Sequence, residues 1–254
     1  MAIITSLLFT ILFWVITIPL SLLYLTLWLV PFIKNKRYIF DRMSSLWAKS
    51  IIWLLRVTCG IDYEIRGWDE LDKSKHYIVV GKHQSTFETL VMHTFMKNPS
   101  PIFILKKQLV LVPFMGWVLA SINHISIDRD GGIKTMKKMV KTAKTYSQKG
   151  HNIIIFPQGT RVPPGASIVD YPYKTGFIGI IKECKCDVVP MVLNTGLFWK
   201  KKQFLKKKGK IIMEFLSPIK YDDIKDLSKE VIVSKIAEIV EAKTDELIGA
   251  SRGI

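Results

Sequence analysis

The sequence has few cysteines and few acidic residues, and each shortage excludes a class of protein. Cys59, Cys184 and Cys186 are three cysteines among 254 residues, too few for the disulfide framework of a small secreted domain. No spacing of cysteines and histidines in the sequence matches a zinc site, so we expect no bound metal. Asp and Glu number 21 against 37 Lys and Arg, and the formal net charge of +16 predicts an anionic partner surface.

The first 33 residues contain no charged side chain. As one helix they would extend about 50 Å, which exceeds the roughly 30 Å hydrocarbon core of a bilayer. Pro19 divides the stretch, so we predict a membrane anchor over residues 1–35 that forms either one tilted helix or a helical hairpin. A cleaved signal peptide is the alternative, but the stretch lacks a basic start and a small-residue cleavage site.

Basic residues follow the apolar stretch directly, at Lys34, Lys36 and Arg37. Positive charge beside a membrane segment marks the cytoplasmic side, so we predict that the remainder of the chain faces the cytoplasm. Residues 36–60 then mix tryptophans with cations, a pattern typical of an amphipathic helix at the water–lipid boundary. An ordinary core helix would show the same spacing, and the interfacial interpretation depends on the neighbouring membrane segment.

Residues 61–254 are predicted to form one α/β domain. Short β-branched runs alternate with helical patterns, as in a mostly parallel sheet covered by helices. One helical pattern places Ile133, Met136 and Ala143 on an apolar face, with lysines around it. The predicted strands are residues 62–67, 77–81, 102–105, 125–128, 152–156, 188–193 and 211–215.

A polar segment at residues 82–88 follows the second predicted strand. His83 and Glu88 are five residues apart, so a helical turn can bring the carboxylate to the imidazole. A neutral imidazole can accept a proton from a hydroxyl, and a carboxylate on its other nitrogen orients it and stabilises the imidazolium. We therefore predict a general base at the carboxyl end of a strand, where open α/β sheets keep their sites.

Other strand ends also carry polar or unusual residues. After the fifth predicted strand, Gly159 permits close backbone approach, and Thr160 and Arg161 supply donors suited to a phosphate. A plain strand-to-loop turn with a surface arginine would have the same sequence there. Arg129 follows the fourth predicted strand, and Pro190 lies inside the sixth, where a proline fits only at an edge or beside a site.

Taken in order, these segments resemble the sequence blocks of the glycerolipid acyltransferase family. The resemblance covers most of residues 60–220, and within the family it is strongest to the bacterial enzymes that acylate 1-acyl-glycerol 3-phosphate. The matching blocks are KHQSTFE at 82–88, VPFMGW at 112–117 with IDR at 127–129, FPQGTR at 156–161 and VP at 189–190.

The resemblance implies an activity and a set of site residues. The activity is transfer of a fatty acyl group from a thioester to the sn-2 hydroxyl of 1-acyl-glycerol 3-phosphate, giving phosphatidic acid for phospholipid biosynthesis. His83 would be the general base, Glu88 its orienting acid, and Pro190 part of the acyl site. The residues implied to hold the acceptor phosphate are Arg129, Gly159, Thr160 and Arg161.

The resemblance also implies partners and a location. Residues 61–254 would be a catalytic domain on the cytoplasmic side of the inner membrane, with no cofactor and with acyl-coenzyme A or acyl carrier protein as co-substrate. The partners would be a lysophospholipid, an acyl thioester and an anionic membrane surface, with acyl carrier protein as a further candidate and no nucleic acid. Lysines at 200–210 fit an anionic surface, although a solvated charge run would look the same.

Two alternatives stay open at this point. The first is an acyltransferase acting on another lysolipid, and the second is a non-catalytic, membrane-tethered basic binding protein. Three residues also depart from the family's blocks: Glu88 replaces the commoner Asp, Gln158 the usual Glu, and Asn123 a frequent Gly. The longer Glu88 side chain should still reach His83, and an amide at position 158 should act at most through hydrogen bonds.

Overall fold

A computed structural model describes residues 1–96, 99–128 and 131–252 of the chain. Each strand predicted from the sequence is present, with ends within two residues of the expected ones. Arg129, one of the predicted phosphate-binding residues, lies outside the described residues. The strands are β1 (Ile61–Arg66), β2 (Ile78–Gly81), β3 (Ile102–Lys106), β4 (His124–Ile127), β5 (Ile153–Ile155), β6 (Val188–Leu193) and β7 (Gly209–Phe215).

Helices precede the strands and alternate with them. Two long helices come first, and the others connect strands or follow the last strand, as the alternating pattern predicts. The helices are α1 (Ala2–Leu29), α2 (Lys36–Cys59), α3 (Phe87–Phe95), α4 (Met115–Ser121), α5 (Gly132–Ser147), α6 (Gly176–Cys184) and α7 (Lys229–Arg252).

The strands form one mixed, mostly parallel sheet, which confirms the predicted fold class. Their spatial order is β1-β7-β6-β2-β5-β3-β4. Strands β2 to β6 run parallel to one another, whereas β7 is antiparallel to β6 and parallel to β1. The carboxyl ends of β2, β5 and β6, which are neighbours in the order β6-β2-β5, therefore meet at one edge of the sheet.

Helices cover both faces of the sheet, and strand alternation divides the core between them. Val79 and Ile154 pack with α1, α2 and α3 on one face, while Val80 and Ile155 pack with α5, α6 and α7 on the other. Successive strand side chains point to opposite faces, so each central strand contributes to both cores. The sheet thus separates α1 and α2 from α5.

Pro190 lies buried in β6, opposite Val80 of β2. Strand β7 pairs with β6 only from Met191 to Leu193. Pro190 precedes these paired residues, so its lack of an N–H removes no hydrogen bond from the β6–β7 ladder. The Pro190 carbonyl accepts a hydrogen bond from the Leu216 N–H at 2.9 Å, just after β7 ends. This position explains how a proline is tolerated in a central strand.

Helix α1 is long and apolar enough to cross a membrane, with a mean hydropathy of 2.3 over its most apolar window. It continues through Pro19 without a break, so of the two predicted forms the single helix is correct and the division at Pro19 is wrong. A proline inside a helix removes one backbone hydrogen bond, and the rest of the ladder can persist around it. Most of the apolar surface of α1 is exposed.

Polar contacts fix α1 against α2. The Trp47 indole N–H donates to Thr17 Oγ1 at 3.0 Å, and the Tyr24 hydroxyl lies 2.6 Å from Ser44 Oγ. The inward face of α2 joins the hydrophobic core, whereas Trp53 on its outward face is 61% exposed. Helix α2 therefore combines a core face with an exposed apolar face, and its position at a lipid surface remains a prediction.

Candidate active site

Loops after β2, β5 and β6 meet at the carboxyl edge of the sheet. The Val162 N–H, in the loop after β5, donates to the His83 carbonyl at 2.7 Å. The Gly196 N–H, after β6, donates to Gln84 Oε1 at 3.0 Å. These bonds tie the loops together around the residue predicted to be the base.

The structure pairs His83 with Glu88 as the sequence predicts. His83 Nδ1 lies 2.8 Å from Glu88 Oε1, and that oxygen also accepts hydrogen bonds from the Gln84 and Ser85 N–H groups at 2.7 Å each. Glu88 is fully buried in the first turn of α3, whereas the His83 side chain is 21% exposed. Because the carboxylate only accepts, Nδ1 carries the proton and Nε2 is left as the basic nitrogen.

The ring of Phe156 fixes the plane of the imidazole. The His83 and Phe156 ring centroids are 4.3 Å apart at an interplanar angle of 18°, a stacked arrangement. Phe156 comes directly after β5, and its stacking role was missed in the sequence because the residue looks like the end of an apolar strand. Glu88 and Phe156 together leave the imidazole little rotational freedom.

Two cations lie on the loops around this pair, and Arg161 is the nearer one because it feels the charge of Glu88. Arg161 Nη1 donates to Thr86 Oγ1 at 2.9 Å, immediately before α3. Burial lowers the pKa of Arg161, and the charge of Glu88 opposes that shift. Lys201 Nζ donates to Thr160 Oγ1 at 2.6 Å, and burial and the neighbouring cations lower the pKa of Lys201. An anion bound beside these two side chains would favour their charged forms.

A cleft of about 320 Å³ opens next to these cations. Gln84, Arg161, Lys200 and Lys201 are among the residues that line it. Gly159, two residues before Arg161, has φ +69°, a left-handed conformation that favours glycine. Of the predicted phosphate-binding residues that the structure describes, Arg161 lines this cleft, whereas Gly159 and Thr160 precede it in the same loop without lining the cleft. The structure adds Lys201, which the sequence showed only as part of a basic run.

A buried ion pair lies one residue before His83. Lys82 is almost fully buried, and its Nζ lies 2.6 Å from Glu241 Oε2 of α7 and donates to the Ala166 carbonyl at 3.0 Å. The Tyr173 hydroxyl donates to Glu241 Oε1 at 3.0 Å, and burial, reinforced by the Glu241 charge, raises the pKa of Tyr173. Gln158 is buried beside the Tyr173 hydroxyl, where an amide adds no second negative charge.

This arrangement suits removal of a proton from a hydroxyl of an anionic substrate. His83 is placed to act as a base, Glu88 can stabilise an imidazolium, and Arg161 and Lys201 can hold a phosphate. Ser85 is not placed as a nucleophile, since it is buried and its hydroxyl accepts a hydrogen bond from the Phe87 N–H. Among the described residues, no three His, Cys, Asp or Glu side chains cluster as a metal site.

Comparisons with known sequences agree with this chemistry. The family model described as Acyltransferase matches residues 62–194. A 1-acyl-sn-glycerol-3-phosphate acyltransferase of Pseudomonas aeruginosa is 33% identical over 183 residues, which cover 72% of this chain and 67% of that protein. The protein of the same name from Haemophilus influenzae is 26% identical over 192 residues, covering 72% of this chain and 77% of that one.

A solved structure has the same fold. The crystal structure of the 1-acyl-sn-glycerophosphate (LPA) acyltransferase, PlsC, from Thermotoga maritima superposes with a TM-score of 0.73 at 20% identity. The match covers 97% of this chain and 98% of that one, including the N-terminal helices. With the family model spanning more than half of the sequence, the chain belongs to the acyltransferase family.

Proposed function

We propose that this acyltransferase transfers a fatty acyl group from a thioester to the sn-2 hydroxyl of 1-acyl-glycerol 3-phosphate, giving phosphatidic acid. The observation that carries the proposal is the His83–Glu88 pair at 2.8 Å beside the cations Arg161 and Lys201. A base alone would serve many acceptors, whereas a base beside an anion-binding loop selects one that carries a phosphate. A non-catalytic basic binder has no use for such a pair.

The proposed reaction is a single displacement assisted by a general base. His83 Nε2 takes the proton of the sn-2 hydroxyl while the hydroxyl oxygen attacks the thioester carbonyl. The tetrahedral intermediate then collapses, the carbon–sulfur bond breaks, and the imidazolium returns its proton to the leaving thiolate. Glu88 stabilises the imidazolium between the two proton transfers.

Arg161 and Lys201 hold the acceptor phosphate in the cleft, and Thr160 positions Lys201 through the 2.6 Å bond to its hydroxyl. The left-handed Gly159 shapes the loop that leads to Arg161. Arg129 is proposed as a further phosphate ligand and Pro190 as part of the acyl site, both from the family resemblance. Helix α1 lies in the inner membrane with the catalytic domain, residues 61–254, in the cytoplasm. The donor is acyl-coenzyme A or acyl carrier protein.

The experiment that tests this function offers the purified protein several acceptors. Labelled palmitoyl thioester is supplied with lysophosphatidic acid, glycerol 3-phosphate or lysophosphatidylcholine in mixed micelles, and the products are separated by chromatography. We expect labelled phosphatidic acid to dominate, because only lysophosphatidic acid has both a terminal phosphate and a free sn-2 hydroxyl on an acylated glycerol. Preference for another lysolipid would replace the acceptor, and no transfer to any of them would refute the function.

Substitution of Arg161 by alanine should raise the KM for lysophosphatidic acid by about 10- to 100-fold, since a hydrogen bond to a charged group contributes about 1.5–3 kcal/mol. The KM for the thioester should change little. Steady-state kinetics with each substrate varied in turn measure both values. Thr86→Ala is the matched control, because it removes the partner of Arg161 and keeps the guanidinium; a lowered kcat with unchanged acceptor KM would instead make Arg161 a positioning residue.

A further inference from the structure

Helix α5 carries a row of lysines that the proposed acceptor chemistry does not use. The helix contains five lysines and no acidic residue. Lys134, Lys137, Lys138 and Lys141 are exposed, and Lys144 pairs with Glu183 of α6 at 2.6 Å. Like charges three or four residues apart repel one another on a helix. An anionic partner that binds here would offset this repulsion and lower the free energy.

A wide cavity adjoins this row. It has a volume of about 1,030 Å³ and lies between α5, α6 and the ends of β4 and β5. Phe156 and Gly159 are among its lining residues, and Phe156 is the residue on whose ring His83 stacks. The cavity therefore extends from the lysine row to within one aromatic ring of the proposed base.

The apolar side chains of α5 that were predicted to face the core line this cavity in part. Ile133 is 76% exposed and Met136 is 38% exposed, and both line the cavity. Met136 also lies against Gly176 of α6, where an added Cβ would come within 2.2 Å of the methionine methyl. The cavity thus combines an apolar lining with cations, since its lining includes five lysines and two acids.

The position of α5 distinguishes a soluble partner from a lipid. The sheet lies between α5 and the helices α1 and α2, which pack on its opposite face. The lysines at 200–210 form a second basic group. This group contacts α1, because the Lys206 N–H donates to Ser6 Oγ at 2.9 Å. Anionic lipid is therefore expected at the Lys206 side, and the lysines of α5 face water.

We propose that the lysine row of α5 is the docking surface for an acidic acyl carrier protein. Its phosphopantetheine thioester arm would enter the cavity past Met136 toward Phe156. Positions 134 to 144 extend along about 15 Å of helix, a length that matches a helix of a partner protein better than one compact phosphate group. The proposal rests on the proposed function, and it assigns the donor and acceptor to opposite sides of His83.

The test reverses two charges on α5 and measures both donors. Lys137→Glu/Lys141→Glu is compared with Lys75→Glu/Lys235→Glu, which makes the same change of charge at exposed positions outside α5. With palmitoyl acyl carrier protein, we expect kcat/KM to fall about 10- to 100-fold in the α5 variant, in line with lost complementarity between close charge pairs. With palmitoyl-coenzyme A it should change less than about threefold, and the control should resemble wild type with both donors.

Other outcomes overturn the docking proposal. An equal loss with both donors would assign the lysines to coenzyme A or to general electrostatics, and an equal loss in the control would make net charge the cause. Efficient transfer from the carrier protein by the α5 variant would also refute it.

A binding measurement separates this proposal from the proposed function. A carrier protein bearing a non-transferable palmitoyl thioether is titrated into wild type and both variants in nanodiscs, and its fluorescence anisotropy is followed. Binding that is lost only in the α5 variant supports docking even if no acceptor is acylated. Equal binding to all three proteins, or binding to none, refutes docking even if acyl transfer from coenzyme A is confirmed.

Discussion

Replacement of His83 by alanine is expected to lower kcat by about 10²- to 10⁴-fold, the usual contribution of a positioned general base. The ring is partly exposed and stacks on Phe156 beside the cavity, so its loss should leave the sheet and its helices folded. Acyl transfer is measured at saturating lysophosphatidic acid and thioester, and circular dichroism monitors the fold. Ordinary turnover by a folded His83→Ala protein would refute the proposed mechanism.

Two further variants test whether the loss of kcat is specific to the His83–Glu88 pair. His76→Ala removes a histidine at the other end of β2, where its Nε2 lies 3.1 Å from Ser147 Oγ, and should leave kcat near the wild-type value. Glu88→Gln keeps the shape but removes the charge that stabilises the imidazolium, so kcat should fall as well. If His83 and Glu88 act as one unit, the double variant should be scarcely slower than His83→Ala alone. Additive losses would mean that they act separately.

Removal of Lys82 alone is expected to destabilise the protein by about 3–5 kcal/mol, because it leaves the Glu241 carboxylate in a largely buried site without its cation. Lys82→Met approximates the volume of the side chain, so packing should contribute little to the loss. The pair joins β2 to α7 and, through the Ala166 carbonyl, to the loop after β5. Urea denaturation in detergent micelles measures the change in the free energy of unfolding.

The paired variant Lys82→Met/Glu241→Leu identifies the cause. Replacing both members by apolar residues removes the uncompensated charge, and such exchanges are often neutral or stabilising. We therefore expect the double variant to recover most of the stability that Lys82→Met loses, although the Tyr173 hydroxyl also loses its acceptor. A double variant that is no more stable than Lys82→Met would show that the lysine acts through its packing and not through the ion pair.

Local sequence patterns were sufficient to predict the positions of the strands and the pairing of His83 with Glu88. β-branched runs between turns located the strands, and the spacing of His83 and Glu88 placed both side chains on one turn. Gly159 and Arg161 could be assigned to one loop because they are neighbours in the sequence. In each case the geometry depends on a few consecutive residues.

The remaining contacts depend on the tertiary fold. Lys82 and Glu241 are 159 residues apart, so their pairing follows from where α7 packs on the sheet. Ile133 and Met136 have the spacing of a core face, yet they line a cavity, whereas Met139 and Ala143 further along α5 pack into the core with α6. Periodicity shows which side of a helix is apolar and cannot show whether another element covers it.

The hydrogen bonds of Thr17 and Tyr24 to α2 have a consequence for how the enzyme meets its lipids. The Tyr24 hydroxyl also donates to the Phe40 carbonyl of α2 at 2.9 Å. Sliding or rotating α1 would therefore break three bonds, at about 0.5–1.5 kcal/mol each, so the helix is a rigid part of the catalytic body rather than a flexible tether. With α1 in the membrane as proposed, the height of His83 above the hydrocarbon would be the same in every molecule. A lysolipid diffusing sideways in one leaflet would then always encounter the proposed base at the same depth, and the acylated product would leave into that same leaflet.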